Sequence, residues 1–242
     1  MGSPTALDHV LALLLGLALP IFSLLGGRGA LRGETFDHTE KLALYRWNSI
    51  ALWIAAAAVV GVWLLADRSL HGLGLSVPRG SWPAGLLACA LALAFVLDCW
   101  LQIRTPERRQ HAREQMGQYA PFLPASRAEF ASYALLAVSA GVCEELLFRG
   151  HLIRYVQALS GDSPAGHVIA VGLPAVVFAL VHLYQGWRAV AKIGLGSVVL
   201  GALFLLSGSL WVCIALHVAI DLVGGVLALR LGSVGGAEQS GE

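Results

Sequence analysis

The sequence predicts an all-α fold, a polytopic bundle of about seven transmembrane helices with a polar cavity inside the membrane. The composition is the first indication: hydrophobic residues make up 57% of the chain and charged residues 13%. Soluble proteins carry about 25% charged residues, so this chain has too little charge to cover a water-exposed surface. The second indication is that apolar stretches long enough to cross a bilayer follow one another along the chain.

All of these stretches but the fourth have about 20 residues, the length that a membrane-spanning helix needs. The fourth is longer than a bilayer is thick, so we expect that helix to be tilted or to protrude. The first has no Lys or Arg before it and no small-x-small cleavage site, which favours a retained helix over a cleaved signal peptide. The predicted spans are 9–26, 49–66, 84–103, 130–158, 166–183, 189–206 and 209–230.

The basic residues of the loops predict the orientation of the chain in the membrane. Two long polar connections, 27–48 and 104–127, and the other loops on their side hold twelve Lys and Arg residues, against four on the opposite side. The positive-inside rule then predicts an external N-terminus and a cytoplasmic C-terminus. The composition suggests a GC-rich bacterial source, so the expected location is a bacterial inner or plasma membrane. We expect one membrane domain, 1–242, ending in a disordered tail at 232–242.

Ionisable residues in three apolar helices of the C-terminal half predict a functional site inside the membrane. Each charged group at the centre of such a helix costs roughly 2.5–3.5 kcal/mol on insertion scales. These groups persist when they pair, line a wet cavity or take part in chemistry. The residues are Glu144, Glu145, Arg149, His182, His217 and Asp221.

The spacing of the acidic residues separates a structural carboxylate from a free one. Glu145 and Arg149 are four residues apart, so they share a helix face and can form an ion pair. Glu144 points about 100° away from Glu145 and has no such partner on its own helix. We therefore expect Glu144 to be the carboxylate that is free to act.

The two histidines each have a motif partner one helical turn away. Phe178 precedes His182 by four residues, so its ring is expected to stack above the imidazole. Asp221 follows His217 by four residues and could orient that imidazole or act beside it. Together with Glu144, these side chains bring a carboxylate and two imidazoles from three helices to one site.

Such a site can hydrolyse a peptide or amide bond in two ways. Glu144 and a histidine can activate water by general base catalysis without a metal. The same three groups, Glu144, His182 and His217, also have the ligand types of a His₂Glu zinc site. The sequence leaves open whether the cofactor is a divalent metal, such as zinc, or none.

The motifs Glu-Glu-x-x-x-Arg at 144–149, Phe-x-x-x-His at 178–182 and His-x-x-x-Asp at 217–221 follow in this order on successive predicted helices. In this order they resemble the CPBP family of CAAX-processing intramembrane endopeptidases and bacteriocin-processing or immunity proteins. The resemblance covers about residues 130–230, the predicted catalytic core. It implies a hydrolase of the membrane, a type II CAAX prenyl endopeptidase-like protease, which family names also describe as a metalloprotease.

The resemblance also implies a role for each matched residue. Glu144, assisted by His182, would activate the attacking water, and His217 with Asp221 would face the scissile carbonyl. Glu145 and Arg149 would hold the helices together. Many family members carry Asn in place of Asp221, and an ionised Asp cannot donate a hydrogen bond as an Asn amide can. Here Asp221 either belongs to the oxyanion side or orients His217.

The predicted helices place the three site residues at different depths in the membrane. With the fourth helix at 130–158, Glu144 and His217 lie near the middle of the bilayer, whereas His182 lies near the cytoplasmic end of its helix. Either the fifth helix continues past Tyr184, or the cavity slopes inward from the cytoplasm. The sequence does not distinguish the two.

Two functions of other classes compete with a protease. One is a non-catalytic immunity or scaffold protein with the same fold, which would have no need of Glu144 and both histidines. The other is a proton-coupled transporter that uses these groups as a relay. A transporter predicts an inverted repeat with interrupted helices, and the interruption at Gly172 and Pro174 has no counterpart in the first half.

The expected partners follow from the same reasoning. Membrane lipid is one, and a protein or peptide substrate, plain or lipidated, is the other. A net charge of +1 argues against nucleic acid as a partner. Because the composition favours a bacterial source, we expect processing of a peptide or a membrane protein rather than of prenylated CAAX substrates.

Overall fold

The structure is a computed structural model that describes residues 2–26, 36–117 and 122–238. These ranges contain helices and turns but no strand, which confirms the all-α prediction. Seven of the helices are long and apolar enough to cross a membrane. The helices are α1 Ala6–Gly26, α2 His38–Leu65, α3 Trp82–Ile103, α4 Pro106–Gly117, α5 Arg127–Ser160, α6 Pro164–Val181, α7 Trp187–Ser207 and α8 Leu210–Glu238.

The two long polar connections are partly helical, contrary to the prediction. α2 begins at His38, because Asp37 caps its first turn and Glu40 returns a hydrogen bond to the Asp37 backbone. The second connection contains α4, a polar helix whose Ala112 is buried while most of its surface is exposed. Parts of both connections, 27–35 and 118–121, lie outside the described residues. α8 continues to Glu238, within the expected tail, and 239–242 also lie outside the described residues.

The long helix α5 is the centre of the bundle. It contacts α2, α6 and α8, and every residue from Glu145 to Ile153 is buried. That stretch is π-helical, a widened geometry that is often found at functional sites. At about 1.5 Å per residue, 34 residues extend about 50 Å, so the helix exceeds the bilayer thickness as its sequence predicted.

A glycine allows α5 and α8 to approach each other next to the predicted site. A Cβ atom on Gly141 would overlap the Val218 side chain and would lie 3.1 Å from the Val218 backbone nitrogen. Only a residue without a side chain permits this separation. The contact brings Glu144 and Glu145, one turn further along α5, beside His217 on α8.

The sequence left open whether the helix that carries His182 continues past Tyr184, and the end of α6 decides this. α6 ends at Val181, and a short 3₁₀ turn, Leu183–Gln185, follows His182. The helix therefore does not continue past Tyr184. His182 lies at the boundary between helix and turn, so the site includes the end of α6.

Candidate active site

The expected ion pair of α5 forms and is fully buried. Arg149 Nη1 lies 3.0 Å from Glu145 Oε1, and neither side chain has more than 1% of its surface exposed. Arg149 Nη2 donates a second bond of 2.9 Å to Ser197 on α7, and the guanidinium lies over the Phe178 ring of α6. The pair thus connects three helices, which is the structural role predicted for it.

His217 on α8 is held by Glu145 rather than by Asp221. Its Nδ1 donates to Glu145 Oε1 over 2.8 Å, while Nε2 lies 3.7 Å from Asp221 Oδ2, beyond hydrogen-bond distance. This geometry favours placing Asp221 on the oxyanion side over the alternative that it orients His217. Glu145 fixes the ring and leaves Nε2 facing Glu144 and Asp221.

The Glu144 carboxylate has no hydrogen-bond partner among the described residues. Its Oε2 is buried, 3.8 Å from His217 Nε2, and accepts no hydrogen bond from any described residue. The side chain nevertheless remains 16% exposed, so it is not sealed from small molecules. A buried carboxylate oxygen with no donor is costly unless water or substrate supplies one.

Asp221 is the most open member of the group, with 32% of its side chain exposed. Its backbone carbonyl accepts a 3.1 Å hydrogen bond from the Tyr133 hydroxyl of α5. The ring of Tyr133 also occupies the space beside Gly225, where a Cβ atom would collide with it. Tyr133 therefore sets the position of α8 relative to α5 at the level of Asp221.

His182 approaches the same group from the end of α6. Its Nδ1 donates to the Phe178 carbonyl over 2.8 Å, which leaves Nε2 free. The Phe178 ring contacts both imidazoles, with centroid distances of 4.7 Å to His182 and 6.2 Å to His217. One residue beyond the α6 span, burial lowers the pKa of His182 despite its hydrogen bond to Phe178. A neutral ring with a free Nε2 can accept a proton.

These motifs lie in a segment that matches a known family. Residues 126–223, from the N-cap of α5 into α8, match the family described as Type II CAAX prenyl endopeptidase Rce1-like. Over these residues the chain is similar to the Rce1-like family. The resemblance predicted from the three motifs is confirmed, and the match excludes α1 to α4. The chain matches no curated protein and no solved structure.

The similarity to the Rce1-like family supports a hydrolase of the intramembrane protease class. The seven apolar helices support an integral membrane protein. The family match alone does not assign the chemistry to particular side chains. That assignment depends on the geometry described above.

The donor groups do not converge as a metal site requires. Among the described residues, no group of three His, Cys, Asp or Glu side chains is arranged to hold a metal ion. Of the proposed ligands, His217 has its Nδ1 bonded to Glu145, and its Nε2 is nearly 4 Å from Glu144. The metalloprotease hypothesis is not supported, and we derive no step through a metal.

Three contacts of the site were not foreseen from sequence. Ser197 binds Arg149, Tyr133 binds the Asp221 carbonyl, and Glu145 binds His217. Each joins residues on different helices, separated by 48 to 88 positions. Spacing along a helix reveals partners one turn away, such as Arg149 for Glu145 and His182 for Phe178, but not these contacts between helices. The polar Ser197 in the apolar α7 was the one available signal.

Proposed function

We propose that the protein is an intramembrane endopeptidase that hydrolyses a peptide bond at or within the membrane, with water activated by Glu144 and His182. The observation that carries the proposal is the state of Glu144. It is a carboxylate inside the bundle that lacks a hydrogen-bond donor, remains accessible and lies beside an oriented histidine. The neighbouring Glu145, by contrast, is fully buried and bonded to Arg149.

In the proposed reaction, Glu144 takes a proton from water as the water oxygen attacks the carbonyl carbon of the scissile bond. The new C–O bond forms while the carbonyl electron pair moves to oxygen. When the C–N bond then breaks, the proton passes from Glu144 to the leaving nitrogen. General base catalysis of this kind contributes typically 10²–10⁴-fold to a rate.

His182 assists by accepting a hydrogen bond from the same water. Its Nδ1 is committed to the Phe178 carbonyl, so Nε2 carries the lone pair of the neutral ring. The contact with the Phe178 ring limits the rotation of the imidazole. His182 is thus oriented before substrate binds, which lowers the entropic cost of the reaction.

His217 and Asp221 form the oxyanion side. Because Nδ1 of His217 donates to Glu145, the ring can donate to an oxyanion only through a protonated Nε2. The role of His217 therefore requires the imidazolium form, with three carboxylates nearby at 2.8, 3.7 and 3.8 Å. An ionised Asp221 can accept from the substrate amide but cannot donate to the oxyanion.

The substrate class we propose is a peptide or membrane protein, plain or lipidated. The end of α6, where His182 lies, is on the side of the loops that carry most of the Lys and Arg residues. The positive-inside rule assigns that side, and the C-terminus, to the cytoplasm. A fluorescent protein fused after Glu242 should therefore be fluorescent and protease-protected in intact cells.

The test is cleavage of a quenched-fluorescent peptide library, prenylated and plain, by the purified protein in detergent. Wild type is compared with Glu144→Ala and His217→Ala, with and without a chelator. We expect turnover that both substitutions abolish and the chelator leaves unchanged. Loss of turnover with chelator would restore the metal hypothesis. Equal turnover in all three proteins would contradict the assignment, and rescue of a cellular phenotype by both variants would favour the scaffold function.

A further inference from the structure

The turn after α6 places a tyrosine against the catalytic histidine. The Tyr184 ring stacks on His182 with a centroid distance of 6.2 Å and an interplanar angle of 29°. On another side, Phe122 contacts the Tyr184 ring edge-on at 4.9 Å. Tyr184 is thus fixed by one residue of the proposed machinery and by one aromatic ring outside it.

The hydroxyl of Tyr184 is a donor without an acceptor. It accepts a 3.0 Å hydrogen bond from Gln185 Nε2, and no side chain or carbonyl of the described residues accepts its proton. The ring of Tyr184 lies against His182, one of the two residues proposed to activate the water, so its hydroxyl is part of the surroundings of the site. A phenol hydroxyl that is not bonded to an acceptor can donate to a group that becomes negative during the reaction.

The proposed reaction needs such a donor. An oxyanion is usually stabilised by more than one hydrogen bond, and each donor removed costs about 10²–10³-fold in kcat. His217 can supply one donor through Nε2. Asp221 supplies none while it is ionised, so the described site lacks a second donor unless another side chain provides it.

We infer that the Tyr184 hydroxyl is the second donor to the oxyanion of the substrate carbonyl, beside His217 Nε2. The inference depends on the proposed protease function. It assigns Tyr184 a catalytic contact with the reacting atoms rather than a packing role. The Gln185 amide orients the hydroxyl, because a phenol that accepts from Gln185 directs its proton away from that amide.

The chemistry of the phenol is compatible with this role. Burial raises the pKa of Tyr184 to about 12, although the hydrogen bond from Gln185 acts against the shift. The hydroxyl therefore keeps its proton over the whole pH range in which a peptide substrate would be cleaved. It remains a donor wherever the base, Glu144, is ionised.

The chain contains a closely matched control. Tyr155 stacks on His151 at 6.2 Å with an interplanar angle of 25°, and its hydroxyl pairs with His9 Nδ1 at 2.7 Å. The pair lies away from the His217 region, in the second half of α5. Tyr155→Phe removes a hydrogen-bonded hydroxyl from a histidine-stacked ring, as Tyr184→Phe does, but outside the proposed machinery.

The test measures kcat and KM of Tyr184→Phe and Tyr155→Phe on a peptide that wild type cleaves, with Glu144→Gln in parallel. We expect Tyr184→Phe to lower kcat by about 10²-fold with KM within about twofold, and Tyr155→Phe to leave kcat unchanged. Binding of a peptidyl difluoroketone, whose hydrate resembles the tetrahedral intermediate, should weaken by a similar factor. Binding of a reduced-amide peptide, which has no carbonyl, should not change.

A double variant separates a lost donor from a lost packing contact. In the Tyr184→Phe background, Asp221→Asn adds an amide donor and should recover at least about tenfold of kcat. Low kcat with a lowered Tm and no recovery would overturn the inference in favour of a structural role. Wild-type kcat in Tyr184→Phe, with Glu144→Gln inactive, would also overturn it and leave the protease proposal intact. Turnover retained by Glu144→Gln would refute the protease proposal and the inference with it.

Discussion

Helix α5 contributes to two polar clusters, which differ in the hydrogen bonds that their carboxylates accept. The Asp8 cluster comprises Asp8, His9, Arg68, His151 and Tyr155. The His217 cluster comprises Glu144, Glu145, His217 and Asp221. In the first, the fully buried Asp8 accepts from both terminal nitrogens of Arg68 at 2.7 and 2.8 Å and from Thr5. In the second, Glu144 has no donor at all among the described residues.

The contrast shows what distinguishes a structural carboxylate from a reactive one. Asp8 is fully buried, and both of its carboxylate oxygens accept hydrogen bonds. It therefore holds α1 to the turn after α2 and has no oxygen available for another donor. Glu144 has an oxygen without a hydrogen-bond donor among the described residues, and its side chain is partly exposed. An unpartnered group alone is not sufficient, because both nitrogens of His151 also lack partners among the described residues while its side chain is wholly buried. We infer that a reactive carboxylate must both lack a hydrogen-bond donor and be partly exposed.

The largest effect is expected from Glu144→Gln, which removes the base and keeps the shape. The kcat for peptide hydrolysis should fall by about 10³–10⁴-fold, since a neutral amide cannot take the proton from water. Thermal unfolding in detergent should be unchanged or slightly higher, because a buried group without donors is replaced by a neutral one. Activity within tenfold of wild type would show that another residue is the base.

Glu145→Gln tests the structural member of the His217 cluster. The change leaves the Arg149 guanidinium without its counter-charge in a fully buried site, which should lower the free energy of unfolding by about 3 kcal/mol or more. Denaturation followed by circular dichroism would report it. As a control, Ser197→Ala removes one neutral partner of Arg149 and should cost only about 1 kcal/mol. Equal losses would mean that the ion pair is not the main support.

Much of this arrangement could be predicted from sequence. The apolar lengths predicted the seven spans, and the four-residue spacing predicted the pairs of Glu145 with Arg149 and Phe178 with His182. The contact of Glu145 with His217 could not be predicted, because it depends on the close approach of α5 and α8 at Gly141. A side chain's partner on another helix is set by packing and crossing angle, which periodicity along one helix does not contain.

The beginning of α2 and the helix α4 were missed for a related reason. Polar residues such as those of 38–48 and 106–117 lower the apolar content of a segment, so a search for apolar spans places a loop there. The cap at Asp37 and the proline at the start of α4 were the local signals of helix beginnings. They show that a membrane helix can extend well beyond its apolar part.

Asp8→Asn should affect stability and spare activity. The substitution removes the charge that pairs with Arg68, whose side chain is 11% exposed and can regain some water. We expect a loss of about 2 kcal/mol in the free energy of unfolding, somewhat less than for a fully buried pair. Cleavage by the folded fraction should keep the kcat of wild type. A fall in kcat without a fall in Tm would connect the Asp8 cluster to catalysis.

The smallest effect is expected from His151→Leu. The ring is fully buried, and neither nitrogen has a hydrogen-bond partner in the described part of the chain. Leucine would therefore remove a polar group whose desolvation is not offset by a hydrogen bond. The Tm should rise or stay the same, with a gain of up to about 1 kcal/mol, and kcat should remain within twofold. A clear loss of stability would indicate that an internal water or the charges of Asp8 and Arg68 satisfy this histidine.

The measurement that tests the central claim most directly compares Glu144→Gln with Asp8→Asn in one series of purified proteins. The kcat on the same peptide and the Tm in the same detergent are determined for both variants and for wild type. We predict that Glu144→Gln lowers kcat and leaves Tm unchanged, whereas Asp8→Asn lowers Tm and leaves kcat unchanged. If both variants lost kcat and Tm in parallel, Glu144 would be a structural carboxylate like Asp8, and the catalytic assignment would be contradicted.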